Sequence, residues 1–553
     1  MLFTSTQVRI LWTQFWESKG HKHALPVSLI AHAENKSVLF NVAGMQQFVP
    51  YLVGKPHPLG SRLYNIQKCI RTNDIDDIGD ERHCSMFEMM GNWSLGEYFK
   101  SQAIGRSLEF LVDVLKIDKT KIGATIFAGD ISSGIPRDDE SYQTLVKSGV
   151  KHIKEIGFDK YGDSDNFWTP GPVGPCGPCV EFYYDRGDQF GPADRDLGVN
   201  DRYTEIRNNV MMEYYSSGEL VNGHKYTPLS QKNVDTGMGF ERLCMVLQDT
   251  ETIFETDIFS SYSEIIASHT DTNYTDYSKS YRIIMDHMRA GVCLMCDGVV
   301  PSNEGRGYVL RRLIRRGYYN LIGLGNLKAS NEHGNHQSKE LIQVRSSCLH
   351  ELVRVIIDNL GPYYDGMNGK IEEVSTMLIK ECIHFDQTIA HGLSELEKYI
   401  TSGSVSSEQA FKLFDSFGLP WDIINDVCAN NHINIDKIGF DKEVEKAKEK
   451  SRNATSFVKN TEWSKYLSGV DETEFVGYNN FFISTNNGSG TIELISDFTT
   501  DQGQRVLVFN QTPFYATGGG QIGDSGLIIL DSGERVRIKE VIKYAGVFLH
   551  LVA

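Results

Sequence analysis

No stretch of about 18 apolar residues occurs anywhere in the 553-residue sequence, and the N-terminus MLFTSTQVRI has no basic segment running into an apolar one. Neither a membrane span nor an export signal is supported, so a cytoplasmic protein with no membrane partner is the expectation. An excess of positive charge is missing too. Against 72 Asp and Glu there are 55 Lys and Arg, a formal net charge of -17. That excludes a surface coating nucleic acid indiscriminately, but leaves room for a local basic groove. Nor do the ten cysteines form a clustered framework. They are scattered, with two Cys-x-x-Cys pairs, Cys176/Cys179 and Cys293/Cys296. A thioredoxin-like pair should open a helix after a strand, whereas Pro172, Pro175 and Pro178 set the first pair in a loop. The second pair, in AGVCLMCDGV, has the pattern of a packed helix. A four-cysteine zinc site would need both pairs to meet across more than a hundred residues, so no metal site is assigned.

What is present is an ordinary globular composition, 40% hydrophobic and 23% charged, on a chain too long for one core. The most telling stretch is Asn233 to Gln248, NVDTGMGFERLCMVLQ. A polar strand end closing on Asp235 turns through two glycines into an amphipathic helix with Arg242 in its first turn. Gly237 and Gly239 remove Cβ atoms where a ligand could approach the backbone. A helix start offers unpaired N–H groups and a positive dipole end to an anion. With Arg242 this makes a phosphate clamp; the alternative is an ordinary strand-to-helix turn with a solvated arginine.

Earlier in the chain, Val8, Leu11, Trp12 and Phe15 share one face of a helix over 6–19, and Gly20 stops it. Two antiparallel strands joined by a polar loop are expected through RLYNIQKCIR and HCSMFEMMGNWSLGEYF. A helix over 101–115 follows, with Ser101 as its cap. Asn166 to Gly187, carrying Trp168 and Glu181, reads as a rigid proline- and glycine-dense loop with a binding role or, alternatively, a scaffolding one. EIRNNVMMEYY is a strand leading into the Asn233 stretch. From Gln248 to about Arg452 the periodicity is helical. Within it NEGRGYVLRRLIRR sets Arg311, Arg312, Arg315 and Arg316 opposite an apolar side, a basic face suited to phosphates or, alternatively, to solvent. Residues 321–340 read as a polar insertion, with His333 and His336 on the surface. The charged DKEVEKAKEKSR closes the helical region. From about Glu462 short strands succeed one another (FFIST, TIELI, RVLVF, GLIIL, RVRIKEV, VFLHLV), a β-rich domain that stops mid-course.

Taken together and in order, these segments resemble the alanine-charging branch of the class II aminoacyl-tRNA synthetases. IQKCIRTNDIDDIGDERHCSMFEMMGNWSLGEYF is similar to motif 2, FWTPGPVGPCGPCVEFYYDRG to the amino-acid pocket loop and VDTGMGFERLCMVLQ to motif 3. PSNEGRGYVLRRLIRRG and FKLFDSFGLP are similar to the tRNA-recognition helices, and TPFYATGGGQIGDSG to the start of an editing domain. The resemblance implies a multidomain α+β fold: an antiparallel class II sheet flanked by helices over 1–249, a helical tRNA-recognition domain over 250–455 and an incomplete β-rich editing domain over 456–553. It implies ATP with Mg2+ as cofactors, ligands unassigned, with L-alanine and tRNA(Ala) as partners. Arg71 and Arg242 would bracket the ATP phosphates and Phe87 would support adenine. Asp235 would hold the substrate ammonium in a methyl-sized pocket walled by Trp168, Val210 and Gly237. Such a pocket discriminates by only about 1–3 kcal/mol, so hydrolytic editing is expected. Asn303 and Asp415 would read an acceptor-stem G·U pair while Arg311, Arg312, Arg315 and Arg316 hold phosphates.

Several positions depart from that pattern. The loop after Arg71 lacks a Gly/Lys-rich insertion, Pro172 and Val173 replace an Asp-Thr, and Arg207 stands where tryptophan is usual. The later His-x-x-x-His and the Cys/His pair of the family's zinc editing site lie beyond this sequence. Editing is therefore expected to be absent from this chain, with zinc only in the missing part and a separate editing chain as a further partner. The other readings are a catalytically inactive tRNA-binding fragment and a redox or zinc protein.

Overall fold

The computed structural model describes residues 3–31, 39–72, 75, 77–159, 163–171, 173–193, 197, 201–221, 224–303, 305–329, 339–446, 463, 465–467, 469–477, 492–501, 503–516 and 523–553. Pro172, His333, His336, the FFIST strand, the charged helix from 447 onward and the GGGQI of the final motif lie outside the described residues. The chain forms two compact units, Met1–Glu264 and Ile265–Ala553. No helix among the described residues is long and apolar enough to cross a membrane.

The first unit is built on a mixed sheet of β1 (Lys22–His23), β2 (Arg62–Ile70), β3 (Met86–Leu95), β4 (Ile122–Phe127), β5 (His152–Ile156), β6 (Phe167–Trp168), β7 (Val173–Asp185), β8 (Tyr203–Val221) and β9 (His224–Gly239). Its order is β1-β2-β3-β9-β8-β7-β4-β5, with β6 added onto β7. Strands β2, β3, β9, β8 and β7 pair antiparallel in turn. Around them lie α1 (Ser5–Ser18), α2 (Val49–Leu52), α3 (Lys100–Leu108), α4 (Asp139–Lys147) and α5 (Phe240–Gln248).

Helix α1 follows its sequence signals. Thr4 and Gln7 form a capping box, Val8, Trp12 and Phe15 are buried, and Gly20 leaves the helix at φ 79°. Helix α3 begins at Lys100, so Ser101 lies inside it and the cap position, Phe99, makes no side-chain bond. A π-helical turn, Glu109–Val114, continues it.

The largest departure from expectation is at residues 173–185, where the anticipated proline-rich loop is strand β7. Pro178 falls within a register shift between Cys176 and Cys179 that interrupts the ladder with β8, whereas Pro175 stays in register opposite Tyr215. Gly177 is required at that break: a Cβ would lie 1.9 Å from the Met211 carbonyl oxygen.

The second unit contains α7 (Ser278–Cys296), α8 (Gly305–Ala329), α9 (Lys339–Leu360), α10 (Ile371–Thr401), α11 (Ser407–Phe417) and α12 (Trp421–Asn430), after α6 (Ser260–Thr270), in which the division between units falls. Beyond them β10 (Glu474–Phe475) pairs with β13 (Gln511–Thr512). A five-stranded antiparallel sheet follows, of β11 (Leu494–Thr499), β12 (Arg505–Phe509), β14 (Gly526–Ile529), β15 (Arg535–Tyr544) and β16 (Val547–Val552), in the order β11-β12-β16-β15-β14.

Candidate active site

Strand alternation selects the site. Opposed residues of an antiparallel pair point to the same face, and every second residue returns to it. Trp93 on β3 pairs with Asp235 on β9, which pairs with Val210 on β8; one row along, Gly91, Gly237 and Asn208 are aligned. All six therefore share one face, together with Phe87 and Met89. That face floors a cavity of about 750 Å³ lined by Arg71, Phe87, Trp168, Val210, Asp235, Gly237 and Arg242. All seven ATP- and alanine-site candidates of the first unit thus meet in one cavity.

Arg207 is an odd neighbour of that set, and alternation sends it to the opposite face. It is buried beneath the sheet, donating to Ser107 Oγ at 2.8 Å and Asn92 Oδ1 at 2.5 Å, with Trp12 and Trp16 rings near its guanidinium. Desolvation pulls its pKa down to about 9. Arg207 therefore packs under the floor and is not among the residues lining the cavity.

Asp235 does not close its strand; β9 runs on to Gly239, which lines the cavity and is the cap residue of α5. The Asp235 carboxylate is 7% exposed and accepts a 2.6 Å hydrogen bond from Trp93 Nε1. Burial pushes its pKa up to about 7, against the opposing pull of Trp93 and the Arg207 charge. Trp93 can lie flat on the sheet only because residue 91 is glycine, whose Cβ would sit 2.2 Å from its ring. Trp93 was not singled out by the sequence; the Gly-x-Trp spacing on an alternating strand is the signal that could have found it.

A second buried carboxyl shares the cavity. Glu181 accepts from Tyr183 Oη at 2.6 Å and Asn208 Nδ2 at 2.9 Å. Burial, then the nearby Glu205 charge, raises its pKa well above the usual carboxylate range. Glu205 reaches the same face through a register shift in β8: Phe182 opposes Arg207, but the next residue, Tyr183, opposes Glu205. The extra residue re-aims Glu205 into the cavity, where its Oε2 lies 3.4 Å from Arg242 Nη1. Alternation alone would have sent Glu205 to the far face.

At the other end Arg71 follows β2. Its backbone N–H donates to Ser85, closing the hairpin, and its guanidinium stands 5.1 Å over the Phe87 ring. Trp168 is half-buried and joins Val210, Met89 and Cys179 in the apolar wall. Its segment is tied down by Asn166, whose Nδ2 donates to Thr125 Oγ1 at 2.8 Å and to the Cys179 carbonyl at 3.0 Å. Burial pushes the Cys176 thiol up to about 12 and the Cys179 thiol well above the usual range, so both favour the protonated form.

In the second unit the arginines of α8 correct the expectation of an open basic face. Arg311, Arg315 and Arg316 are each under 5% exposed. Arg311 and Arg315 share Glu381 at 3.0 and 3.1 Å. Arg316 donates to His287 Nε2, and Arg312 grips Asp422 with two bonds of 2.8 and 3.0 Å. The sequence pattern missed this because the acids that neutralise them come from α10 and α12, far away in sequence. Two of these arginines also touch Asn303 or the end of the helix that carries Asp415. Arg311 donates to Asn303 Oδ1. Arg315 donates at 3.2 Å to the carbonyl of Gly418, the left-handed cap three residues beyond Asp415 on α11. Asn303 and Asp415 are both exposed.

The combination in the first unit, an antiparallel sheet with an arginine after one strand and another in the helix that follows the last strand, is the arrangement of a class II synthetase site. The family model for class II (A) tRNA synthetases matches residues 7–553, and the chain belongs to that family. Among its relatives is the alanine–tRNA ligase of Clostridioides difficile strain 630, 36% identical over 546 residues, covering 94% of this chain and 58% of that protein. The alanine–tRNA ligase of Cytophaga hutchinsonii is 34% identical over 567 residues (99% and 61%), and that of Mycoplasmopsis synoviae 36% over 568 (98% and 59%). The chain thus spans about three-fifths of the length of these relatives.

Proposed function

We propose that this chain activates L-alanine with ATP and transfers it to tRNA(Ala). The observation that carries this is the single cavity joining Asp235, a buried carboxyl with an apolar wall of Trp168 and Val210 beside it, to the cations Arg71 and Arg242. Asp235 holds the alanine ammonium, with Trp168, Val210 and Gly237 walling the space for its methyl group. Phe87 supports the adenine ring. One oxygen of the alanine carboxylate attacks the α-phosphorus and pyrophosphate leaves, with Arg71 and Arg242 offsetting the charge that develops on the phosphates. A ribose hydroxyl at the tRNA 3′ end then attacks the carbonyl carbon and AMP leaves.

Family membership implies Mg2+, which shields the phosphates. Mg2+ is commonly held by one or two carboxylates plus substrate phosphates. The cavity fits: the Glu205 and Glu181 carboxyls face it. Glu205, next to Arg242, would hold the ion.

For tRNA, the exposed Asn303 amide and Asp415 carboxylate supply a donor and an acceptor for the edges of a G·U pair in the acceptor stem, whose shallow minor groove exposes both kinds of group. Arg312, the least buried of the four arginines, would meet a phosphate by exchanging its Asp422 partner for it. The domain division that goes with this reading is 1–249 for aminoacylation, 250–455 for tRNA recognition and 456–553 for the β-rich part, in a cytoplasmic setting.

Alanine-dependent ATP–pyrophosphate exchange tests the proposal. Exchange by the wild-type chain, abolished in Asp235→Ala with the fold retained, supports it. A folded wild-type chain without exchange would leave only the inactive tRNA-binding reading.

A further inference from the structure

The side-chain oxygen of the exposed Asn303 is claimed twice. Arg311 donates to Oδ1 from α8, and Tyr515 Oη donates to the same atom at 3.3 Å from the β-rich part of the same unit. Arginine has only donors, so this pairing fixes which end of the amide is oxygen. The consequence is directional: with Oδ1 held from two sides, the Nδ2 amino group is the end left to face outward, and no described residue accepts from it.

Tyr515 is itself built in. Its ring lies 5.4 Å from the Arg311 guanidinium and 5.7 Å from the Phe475 ring, and it is 8% exposed. Its backbone is clamped by Asp524: Tyr515 N–H donates to Oδ2 at 2.8 Å and its carbonyl accepts from Asp524 N–H at 2.8 Å. Arg311 is anchored independently by Glu381 at 3.0 Å. A mobile surface amide samples both flips and several rotamers; one held by two buried, separately anchored donors does not. Discrimination at a base edge depends on such pre-organisation, since a freely flipping amide would offer an acceptor as readily as a donor.

We infer that Tyr515 is a positioning residue for RNA recognition: together with Arg311 it locks Asn303 so that only its amide N–H groups are presented to an acceptor on the nucleic acid. The inference rests on the RNA-reading role proposed for Asn303, and assigns to the β-rich segment a part in recognition through α8. Tyr515 does not touch the RNA in this scheme; its hydroxyl acts through the asparagine.

Fluorescence anisotropy with the full chain tests it, using short RNA hairpins of the acceptor stem that differ only in a G·U or G·C pair. The wild type is expected to prefer the wobble hairpin by about tenfold. Tyr515→Phe keeps the ring and its packing but removes the hydroxyl, and is expected to erode that preference about fivefold, the value of one hydrogen bond, without weakening the G·C hairpin. Asn303→Asp, which replaces the donor by an acceptor, should abolish the preference with Tyr515 in place. A Tyr515→Phe chain that retains the wild-type preference, or loses affinity for both hairpins equally, overturns the role of Tyr515 alone. A wild type with no preference overturns the RNA-reading proposal on which it rests.

Discussion

Trp93 Nε1 donates to Asp235 Oδ1 across the β3–β9 pair at 2.6 Å, over the bare backbone of Gly91. This contact fixes the orientation of the one buried carboxylate on which substrate recognition is proposed to turn. Gly91→Ala would put a methyl carbon inside the indole, so the ring must move and the bond must break. We expect alanine activation to fall at least about tenfold and the fold to lose about 1–3 kcal/mol, read by pyrophosphate exchange and thermal unfolding.

Asp235 gives the free enzyme a pH dependence. Its folded pKa of about 7 lies above the usual 3.8 because burial disfavours the charge. Below that value the carboxyl is protonated and attracts no ammonium, so kcat/KM for alanine in exchange should rise about tenfold per pH unit up to roughly 7 and then level. The sign for stability is opposite. The fold holds this proton more tightly than the unfolded chain, so the contribution is complete below about 4 and is lost as pH rises through about 7. Asp235→Asn should remove activity at every pH and flatten that part of the stability profile.

Gly177 is predicted to be intolerant of any side chain. Its Cβ would meet a backbone oxygen, which cannot rotate away as a side chain could. Gly177→Ala should therefore shift β7 against β8, lowering the melting temperature and weakening alanine activation together.

Arg315 separates a structural arginine from a phosphate contact. It shares the fully buried Glu381 with Arg311 and binds the Gly418 carbonyl. Arg315→Met should cost about 3–5 kcal/mol in unfolding experiments, because it strips a partner from a buried carboxylate. A variant of wild-type stability with a weakened, less salt-dependent affinity for tRNA would instead restore the phosphate role.

Asn303→Ala and Asp415→Ala should each reduce charging of a wobble-pair tRNA about five- to tenfold, the worth of one base-edge contact, and far more than they reduce alanine activation. Equal losses in charging and in exchange would mean that they support the fold.

Much of the first-unit site was legible because period-two alternation is a local property. Once β3, β8 and β9 are strands, Asp235 shares a face with Gly237 and Phe87 with Met89, while the register between the strands brings these pairs and Val210 to the same side. The contributions of Trp93, Glu181 and Glu205 were not legible for equally specific reasons. Trp93 depends on the space left by Gly91 and on its register with β9. Glu181 was assigned to a loop because prolines usually bar a strand, and only the interrupted pairing with β8 makes one. Glu205 reaches the pocket through an irregularity that no spacing rule anticipates.

The same division holds across the chain. By itself, the sequence determined the antiparallel strands that carry the motifs, the arginines at their ends, the helical middle, the β-rich close and membership of the class II family, since each follows from local patterning or from motifs read in order. Only the tertiary structure decided which charges are used for what. Arg207 is a buried strut beneath the floor, and the arginines of α8 are pinned by acids brought from α10 and α12. Pairing a charge depends on what lies opposite it in space, and a burial penalty of several kcal/mol selects the paired arrangement over the exposed one.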